Sequence, residues 1–514
     1  MVSYNLFGKP GSGNAGNNLF QTAFMLGIKH KYGCEITLPH WKHQWAFKWG
    51  INTGEQAPSI EIKEPQYHYN PEFLDKYASD FKVNKVDVRG WFQSEKYWEH
   101  CKDAVREALT FTDEVMDAVK DRPRGIAISI RRGDYVDNPN YDLLPIEYYI
   151  GALNKHFPDW RERNLIIFSD GLDYCRLHFR ALNNVHYADL DAIHQLAYMS
   201  LQEDFVISNS TFSWWGAYLS ELNGIAKKIV RPSYLFAGEL LKKSDFRDHY
   251  PERWEVYDHK VEKMDLRNVT FLIPVYYDHK DRKQNLELSV CMIQKAFDTN
   301  IIIIEQGGSQ FKHMSMYSKY IPFEGDIFHR TKMLNDMAQM ADTPLIVNWD
   351  ADMVISPVQI LEAVHRLENG ADMVYPYDGR FARVPRKEWF PVIEKHLDCG
   401  MFGDKKFFGM IPPYKASVGG AIFFNKASFL KGGGENENFL SYGREDVERR
   451  IRFENLGFNV QRVKGVIYHI DHHVGLNSST THPWYEGNER EYDKVAKMST
   501  EELWEYVKTW SDEK

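Results

Sequence analysis

The chain has 514 residues, more than one hydrophobic core commonly organises, so two or three domains are expected. Its net charge of −9 excludes nucleic acid as the main partner, although local cationic patches remain available to hold phosphates. The five cysteines, Cys34, Cys101, Cys175, Cys291 and Cys399, are scattered, make no metal-binding pattern and suit reduced thiols.

Residues 8–18 are rich in glycine and asparagine, follow a short strand and run into a helix expected over residues 19–31. Backbone N–H groups in such a loop can approach an anion at a helix N-terminus, and a flexible turn explains the composition equally well. Residues 36–80 have poor periodicity and read as loops and short elements. Residues 86–89 read as a strand, with Ser94 capping the helix that follows. A hydrophobic strand over residues 125–130 ends in Arg131, Arg132, Gly133 and Asp134. Arginine forks match phosphate oxygens two at a time and keep their charge in any surroundings, which suits a nucleoside-diphosphate leaving group held without a metal. The structural alternative is an ion pair with Asp134 or Asp137. Strands over residues 164–169 and 204–209 also end in small polar residues, the second leading through Ser210, Thr211 and Ser213 into a helix. Those hydroxyls either donate to phosphate or cap the helix. Strands that alternate with helices and turn polar at their C-terminal ends indicate a parallel α/β sheet with a ligand crevice along that edge.

Four stretches occur in the order found in the α-1,2-fucosyltransferases: Gly90-Trp91-Phe92-Gln93-Ser94-Glu95-Lys96-Tyr97, Arg131-Arg132-Gly133-Asp134-Tyr135-Val136, Phe168-Ser169-Asp170 and Ser208-Asn209-Ser210-Thr211-Phe212-Ser213-Trp214-Trp215-Gly216-Ala217. Over residues 1 to about 255 the chain resembles that family. The resemblance implies a GT-B-like fold of two Rossmann-like halves, GDP-L-fucose as donor, inversion at the anomeric carbon and no metal cofactor. It implies that Arg131 and Arg132 act on the diphosphate, with Asp134, Ser210, Thr211 and Ser213 in the donor site. The chain departs from the family at Ser129, where His is usual, and in the length of the glycine-rich loop.

Residues 255–267 are charged without a sustained period, and the domain boundary is placed there, giving domains 1–262 and 263–514. Residues 268–276 restart a strand that Pro274 is expected to interrupt. Arg282 follows, within reach of a donor diphosphate. Residues 326–335 read as a helix carrying basic residues. The run Leu345-Ile346-Val347-Asn348-Trp349-Asp350-Ala351-Asp352 is an apolar strand ending in two carboxylates, which strand alternation would set on one side. Two adjacent carboxylates repel, so the pair is stable mainly with a divalent cation between them, shared with a diphosphate. Further on, Glu445 and Asp446 open an amphipathic helix, a place where carboxylates commonly serve the helix dipole. The strand over residues 466–470 leads into imidazoles, whose neutral nitrogens suit Mn²⁺ beside carboxylates.

Phe328-His329-Arg330-Thr331-Lys332-Met333-Leu334-Asn335, Asp350-Ala351-Asp352, Gly419-Gly420 and Phe439 through Asp446 follow the order of the β-1,4-galactosyltransferases, and residues 268 to 475 resemble those inverting GT-A enzymes. Residue by residue, the resemblance implies that Asp352 binds metal, Asp350 lies at the nucleotide, Arg330 and Gly420 belong to the donor site, Asp446 is the general base and Glu445 a neighbouring sugar-binding carboxylate. Tyr442 stands where that family has a mobile Trp. His469 is the chosen second metal ligand, with His472 as the alternative. The expectation is an α/β protein in which a GT-B-like domain is fused to a GT-A domain: a bifunctional inverting glycosyltransferase using GDP-fucose and a UDP-sugar, galactose or a related hexose. Its cofactor would be Mn²⁺ or Mg²⁺ in the second domain alone, and its acceptor a glycan or lipid-linked oligosaccharide. The alternatives are GalNAc or glucose as second donor, or a glycan-binding or scaffolding protein with one dead half. No apolar run reaches the length of a membrane span and no charged-then-apolar leader opens the chain, so a soluble, cytoplasmic protein is expected, with any peripheral membrane contact leaving no mark in the sequence.

Overall fold

The computed structural model describes every residue except 12, 317, 326, 404, 406, 408, 409, 413, 414, 476, 478 and 512–514. The chain divides into two compact units, one of Met1–Cys175 with Asn184–Glu262 and one of Arg176–Asn183 with Lys263–Lys514. Both are α/β.

In the first unit, β1 (Val2–Ser3), β2 (Ile36–Thr37), β3 (Ile60–Lys63) and β4 (Val86–Arg89) form a parallel sheet in the order β2-β1-β4-β3. A second parallel sheet, ordered β10-β9-β8-β5-β6-β7, is built from β5 (Ile126–Ile130), β6 (Leu165–Ser169), β7 (Val185–Tyr187), β8 (Asp204–Val206), β9 (Lys228–Pro232) and β10 (Glu255–Tyr257). Parallel sheets are covered on both faces, which is why all residues of β5 and β6 are buried. Helix Ala15–Tyr32 sends Phe20 into a cluster with Trp98, Trp214 and Trp215, the last two from helix Thr211–Leu222. Full burial of aromatics of this size stabilises the fold by roughly 2–3 kcal/mol each.

Three local expectations are corrected. The first helix begins at Ala15, so Gly16, Asn17 and Asn18 form its first turn instead of a free loop; Ser12 of that loop lies outside the described residues. Ser94 caps nothing: its hydroxyl is buried without a hydrogen bond ahead of the short 3₁₀ turn Glu95–Tyr97. Residues 255–267 are mostly strand, since β10 pairs with β9 and the first strand of the second unit begins at Met264. In the latter, Asp265 and Arg267 point outward between the buried Met264 and Leu266, so charge and strand coexist.

The second unit carries a mixed sheet ordered β13-β12-β11-β14-β18-β16-β19. Its strands are β11 (Met264–Tyr276), β12 (Phe297–Gln306), β13 (Lys319–Phe323), β14 (Leu345–Trp349), β16 (Met373–Tyr375), β18 (Ala421–Asn425) and β19 (Val460–Arg462). A smaller sheet, β15-β20-β17, joins β15 (Met353–Val354), β17 (Arg380–Val384) and β20 (Val466–Ile470). β11 runs through Pro274 instead of stopping there. Pairing with β14 ends at Leu272↔Asn348 while β12 stays paired to Gln306, so the proline sits where one edge has no partner strand. The basic helix begins at Arg330, not at residue 326, and Asp326 lies outside the described residues. In the small sheet, Met353 pairs with His469 and the Ile470 N–H donates to the Asp352 carbonyl at 3.1 Å, which fixes the imidazole strand beside the Asp350–Asp352 turn. Among the described residues no helix is long and apolar enough to cross a membrane.

The start of helix Ala15–Tyr32 depends on close approach. A Cβ at Gly16 would lie 2.6 Å from the backbone of Thr211 and Phe212, which cannot withdraw as a side chain can. Gly16→Ala is therefore expected to cost about 1–3 kcal/mol of first-unit stability, measured by denaturant unfolding. An unchanged midpoint would show that the two helix starts are free to part.

Candidate active site

In the second unit a cavity of about 830 Å³ is lined by Asp350, Asp352, Arg282, Arg330, Gly420, Glu445, Asp446, His469 and His472, so every second-unit residue singled out from sequence faces one space. The two aspartates arrive by a turn and not by strand alternation. β14 stops at Trp349, the Met353 N–H donates to the Asp350 carbonyl at 3.3 Å, and the Asp350 N–H donates to the Gly420 carbonyl at 2.8 Å. The carboxylates consequently have separate partners. Asp350 accepts from Arg330 Nη2 at 2.7 Å and Nε at 3.2 Å. Asp352 lies 2.9 Å from His472 Nε2 and 3.4 Å from His469 Nε2.

Asp352, His469 and His472 each offer a ligand atom within 4.8 Å of the others. One carboxylate and two imidazoles form a mixed donor set that suits Mn²⁺ better than Mg²⁺, so these residues fit the expected cation. The sequence left His469 and His472 as alternatives; both reach Asp352, and His472 stands closer. Burial opposes ionisation of Asp352, yet the two imidazoles outweigh it and hold the carboxyl well below its ordinary range. For His469 burial likewise disfavours charge, but the Asp352 carboxylate pulls the imidazole up to about 9. Arg282 is paired with Asp278 at 3.0 Å and stands 3.8 Å from Asp352, so it lines the cavity as a shared cation.

Across the cavity, helix Glu445–Asn455 presents Glu445 and Asp446 from its first turn. Neither caps the helix in the simple sense. Arg330 Nη1 reaches Asp446 at 3.4 Å and Glu445 at 3.8 Å, and Arg449 Nη1 donates to Asp446 Oδ1 at 3.0 Å. Burial, then the charge of Asp446, pushes the Glu445 carboxyl up to about 7. Burial likewise raises Asp350, aided by Asp446 and Asp352 and opposed by Arg330. Both glycines are required by space: a Cβ at Gly419 would lie 2.5 Å from Asp446 Oδ2, and one at Gly420, whose φ is +91°, would meet Ile467 and Met353 at 2.9 Å.

In the first unit the expected residues gather less completely. Arg131 is ion-paired with Asp134, as in the structural alternative raised for it, and also, at 2.7 Å, with Asp170, which that alternative did not include. Arg132 is 6% exposed and stacks 3.9 Å from the Tyr174 ring centroid, while its backbone N–H donates to Asp170 Oδ1 at 2.8 Å. Ser210 caps helix Thr211–Leu222, accepting from the Phe212 N–H at 3.2 Å. Ser213 turns its hydroxyl inward to Ser129 at 2.6 Å and Ser208 at 2.7 Å, and Thr211 packs against Gly16. Asp170 is not among the expected site residues although it anchors both arginines; its signals are its place at a strand end and in the Phe168-Ser169-Asp170 stretch. Glu64 was missed as well: it accepts the N–H groups of Trp91 and Phe92 at 2.6 and 3.1 Å, and burial pushes its carboxyl up to about 7.

Residues 64–255 match the family model for glycosyl transferase family 11, and residues 404–473 match one described as the N-terminal domain of galactosyltransferase. An alpha-1,2-colitosyltransferase of Escherichia coli is 30% identical over 201 residues, which cover 36% of this chain and 67% of that protein. The chain belongs to glycosyl transferase family 11. The O-antigen biosynthesis glycosyltransferase WbnK of Escherichia coli is 32% identical over 185 residues, covering 32% of this chain and 60% of that protein. The matches thus span about two thirds of the length of these relatives. Among solved structures, the catalytic domain of Drosophila beta1,4galactosyltransferase 7 in complex with xylobiose overlaps 39% of this chain and 65% of that chain at 14% identity and a TM-score of 0.26. A mycobacterial protein overlaps 41% and 69% at 13% identity and a TM-score of 0.27. Overlaps this loose place no residue. The chain is a glycosyltransferase with one fucosyltransferase-like and one galactosyltransferase-like domain.

Glu445 offers a test of the cavity's electrostatics. Its carboxyl rises from 4.5 to about 7 on folding, so the native state holds that proton more tightly than the unfolded chain. The associated stability is full below about pH 4.5 and is lost as pH rises through about 7. Glu445→Gln is expected to gain roughly 1–3 kcal/mol on the wild type between pH 5 and pH 8 in urea unfolding. Parallel pH–stability curves for the two proteins would contradict the shift.

Proposed function

We propose that the chain is a bifunctional inverting glycosyltransferase, with a GT-B-like first unit that transfers fucose from GDP-L-fucose and a GT-A second unit that transfers galactose or a related hexose from a UDP-sugar. The observation that carries the reading is the second-unit cavity, where a candidate metal triad, a buried arginine and two carboxylates at a helix start face one another. Asp352, His469 and His472 would hold Mn²⁺ or Mg²⁺, which when bound supplies positive charge to the UDP diphosphate. Arg330 orients Asp350 toward the nucleotide and keeps Glu445 and Asp446 in place. Asp446 takes the proton of the acceptor hydroxyl.

In the first unit, Arg131 presents its guanidinium to the GDP diphosphate, with Asp170 fixing its direction and Arg132 bracing the loop from beneath. Two parallel sheets with strands ending in polar residues support a nucleotide crevice there. The relative named for colitose makes a colitose donor the one to screen beside GDP-fucose. A β-galactoside from the second unit is the kind of acceptor an α-1,2-fucosyltransferase uses, so the joint product would be Fuc-α1,2-Gal on a glycan or lipid-linked acceptor. The name of the second relative supports polysaccharide assembly as the setting, and a cytoplasmic location is part of the proposal.

Two outcomes test this. EDTA should abolish turnover of UDP-sugar and leave turnover of GDP-fucose largely intact, because arginines replace the metal in the first unit; joint loss of both activities would reject that division. Asp446→Asn keeps shape and should lower hexosyl transfer roughly a hundredfold or more, with UDP affinity unchanged and fucosyl transfer to a supplied galactoside as the folding control. Near-wild-type hexosyl transfer by the variant would remove Asp446 as the base and leave Glu445.

A further inference from the structure

Helix Glu445–Asn455 carries three arginines that the reaction described so far does not use. Arg450 pairs with Glu454 at 2.7 Å on the outer face, and Arg452 is buried against Glu448 while holding the carbonyls of Gly432 and Gly434. Arg449 is different. It is fully buried, donates from Nε to Glu435 Oε1 at 2.7 Å, and spends Nη1 on Asp446 Oδ1 at 3.0 Å, one helical turn before it. Glu435 is itself buried and accepts a second bond from Asn348 Nδ2 at 2.6 Å. A buried arginine needs a counter-charge, and Glu435 alone satisfies that requirement. The contact with Asp446 therefore goes beyond keeping the helix folded.

The geometry at Asp446 is one-sided. Oδ1 receives Arg449 and, at 3.4 Å, Arg330. Oδ2 has no hydrogen-bond partner among the described residues and points to where Gly419 lacks a side chain, 2.5 Å from the place a Cβ would occupy. Resting on the reading of Asp446 as the base, we propose that Arg449 is a positioning residue for hexosyl transfer: it pins Oδ1 so that Oδ2 faces the acceptor. In the transfer step the acceptor O–H proton passes to Oδ2, the acceptor oxygen bonds to the anomeric carbon, and the bond from that carbon to the diphosphate breaks with its electron pair leaving on UDP. The other groups facing Asp446 are Arg330 from helix Arg330–Met340, Asp350 after β14, Glu445 on its own helix, Glu435 behind Arg449, and Tyr375 and Tyr377 from β16 and beyond. Among these, Arg330 is shared by three carboxylates, which leaves Arg449 as the cation whose only carboxylate partner in the cavity is Asp446.

The test uses the full chain with Mn²⁺ and UDP-galactose, recording kcat and KM from pH 5 to 9. Arg449→Met is combined with Glu435→Gln so that no buried carboxylate loses its cation, and Arg449→Lys serves as a second variant whose shorter ammonium reaches Glu435 but not both partners. In both, kcat is expected to fall about tenfold while KM for the donor stays within about twofold, the split that misplacement of a base gives and a general loss of packing does not. With Asp446→Asn as background, adding Arg449→Lys should cause little further loss, because the two act as one unit. A rise in donor KM as large as the fall in kcat, or a full further loss on the Asn background, would show that Arg449 only supports packing. If Asp446→Asn itself turns over at the wild-type rate, the base reading fails and the proposal falls with it; a dead Asn variant beside wild-type kcat in both Arg449 variants would reject the positioning role alone.

Discussion

The second unit is built around a single guanidinium. Arg330 is 8% exposed, yet three carboxylates, Asp350, Glu445 and Asp446, stand within 4 Å of it. Burial works against its charge, but those carboxylates raise its affinity for the proton well above the ordinary arginine range. The cluster would otherwise be untenable, since like charges at such distances repel strongly when water is excluded. Ion pairs of this kind add little to stability once desolvation is counted, and hydrophobic residues of similar volume would serve the fold as well. Their presence in a cavity fits a site that needs charged groups held in fixed positions.

From that requirement several local features follow. The turn after β14 separates Asp350 from Asp352, so one is given to Arg330 and the other to imidazoles, and neither has to share a cation with the other. The small sheet supplies those imidazoles by pairing Met353 with His469. The Gly420 carbonyl takes the Asp350 N–H, and its φ of +91° is open to glycine at little cost. Gly419 leaves one oxygen of Asp446 uncovered. Each feature is a backbone solution to the placement of a charge.

Much of this could be read in the sequence because strand ends and helix starts are where backbone polarity and ligand chemistry coincide. Asp350, Asp352, Glu445 and Asp446 all sit at such places, and Arg330 opens a helix with its own chain motif. What the sequence concealed were partners brought together by folding. Glu435 meets Arg449 and Asn348, the latter 87 residues distant, and nothing in local pattern announces either contact. Pattern also leaves open residues with two satisfactory roles. Ser210 reads equally as phosphate donor or cap, and its oxygen accepts from the helix start; Ser213 reads the same way, and its hydroxyl is shared with two serines. Pro274 was misplaced for a different reason: proline is excluded from a strand only where both edges are paired, and edge pairing is a tertiary property.

On the proposed reading the two units meet a common problem, a nucleoside diphosphate departing with extra negative charge, by different electrostatic means. In the second, a carboxylate–imidazole triad would carry a divalent cation, so the positive charge is exchangeable and its strength depends on protons leaving His469. In the first, the charge is covalent. Arg131 is balanced by Asp134 and Asp170, so a diphosphate bound there would have to compete with carboxylates already in place. Such competition lowers affinity but keeps the guanidinium oriented before the donor arrives, and orientation is what a leaving-group contact requires when charge develops late. Asp170 serves that end twice, holding the Arg131 side chain and the Arg132 backbone from the end of one strand, so the loop cannot swing its cation away without breaking both bonds.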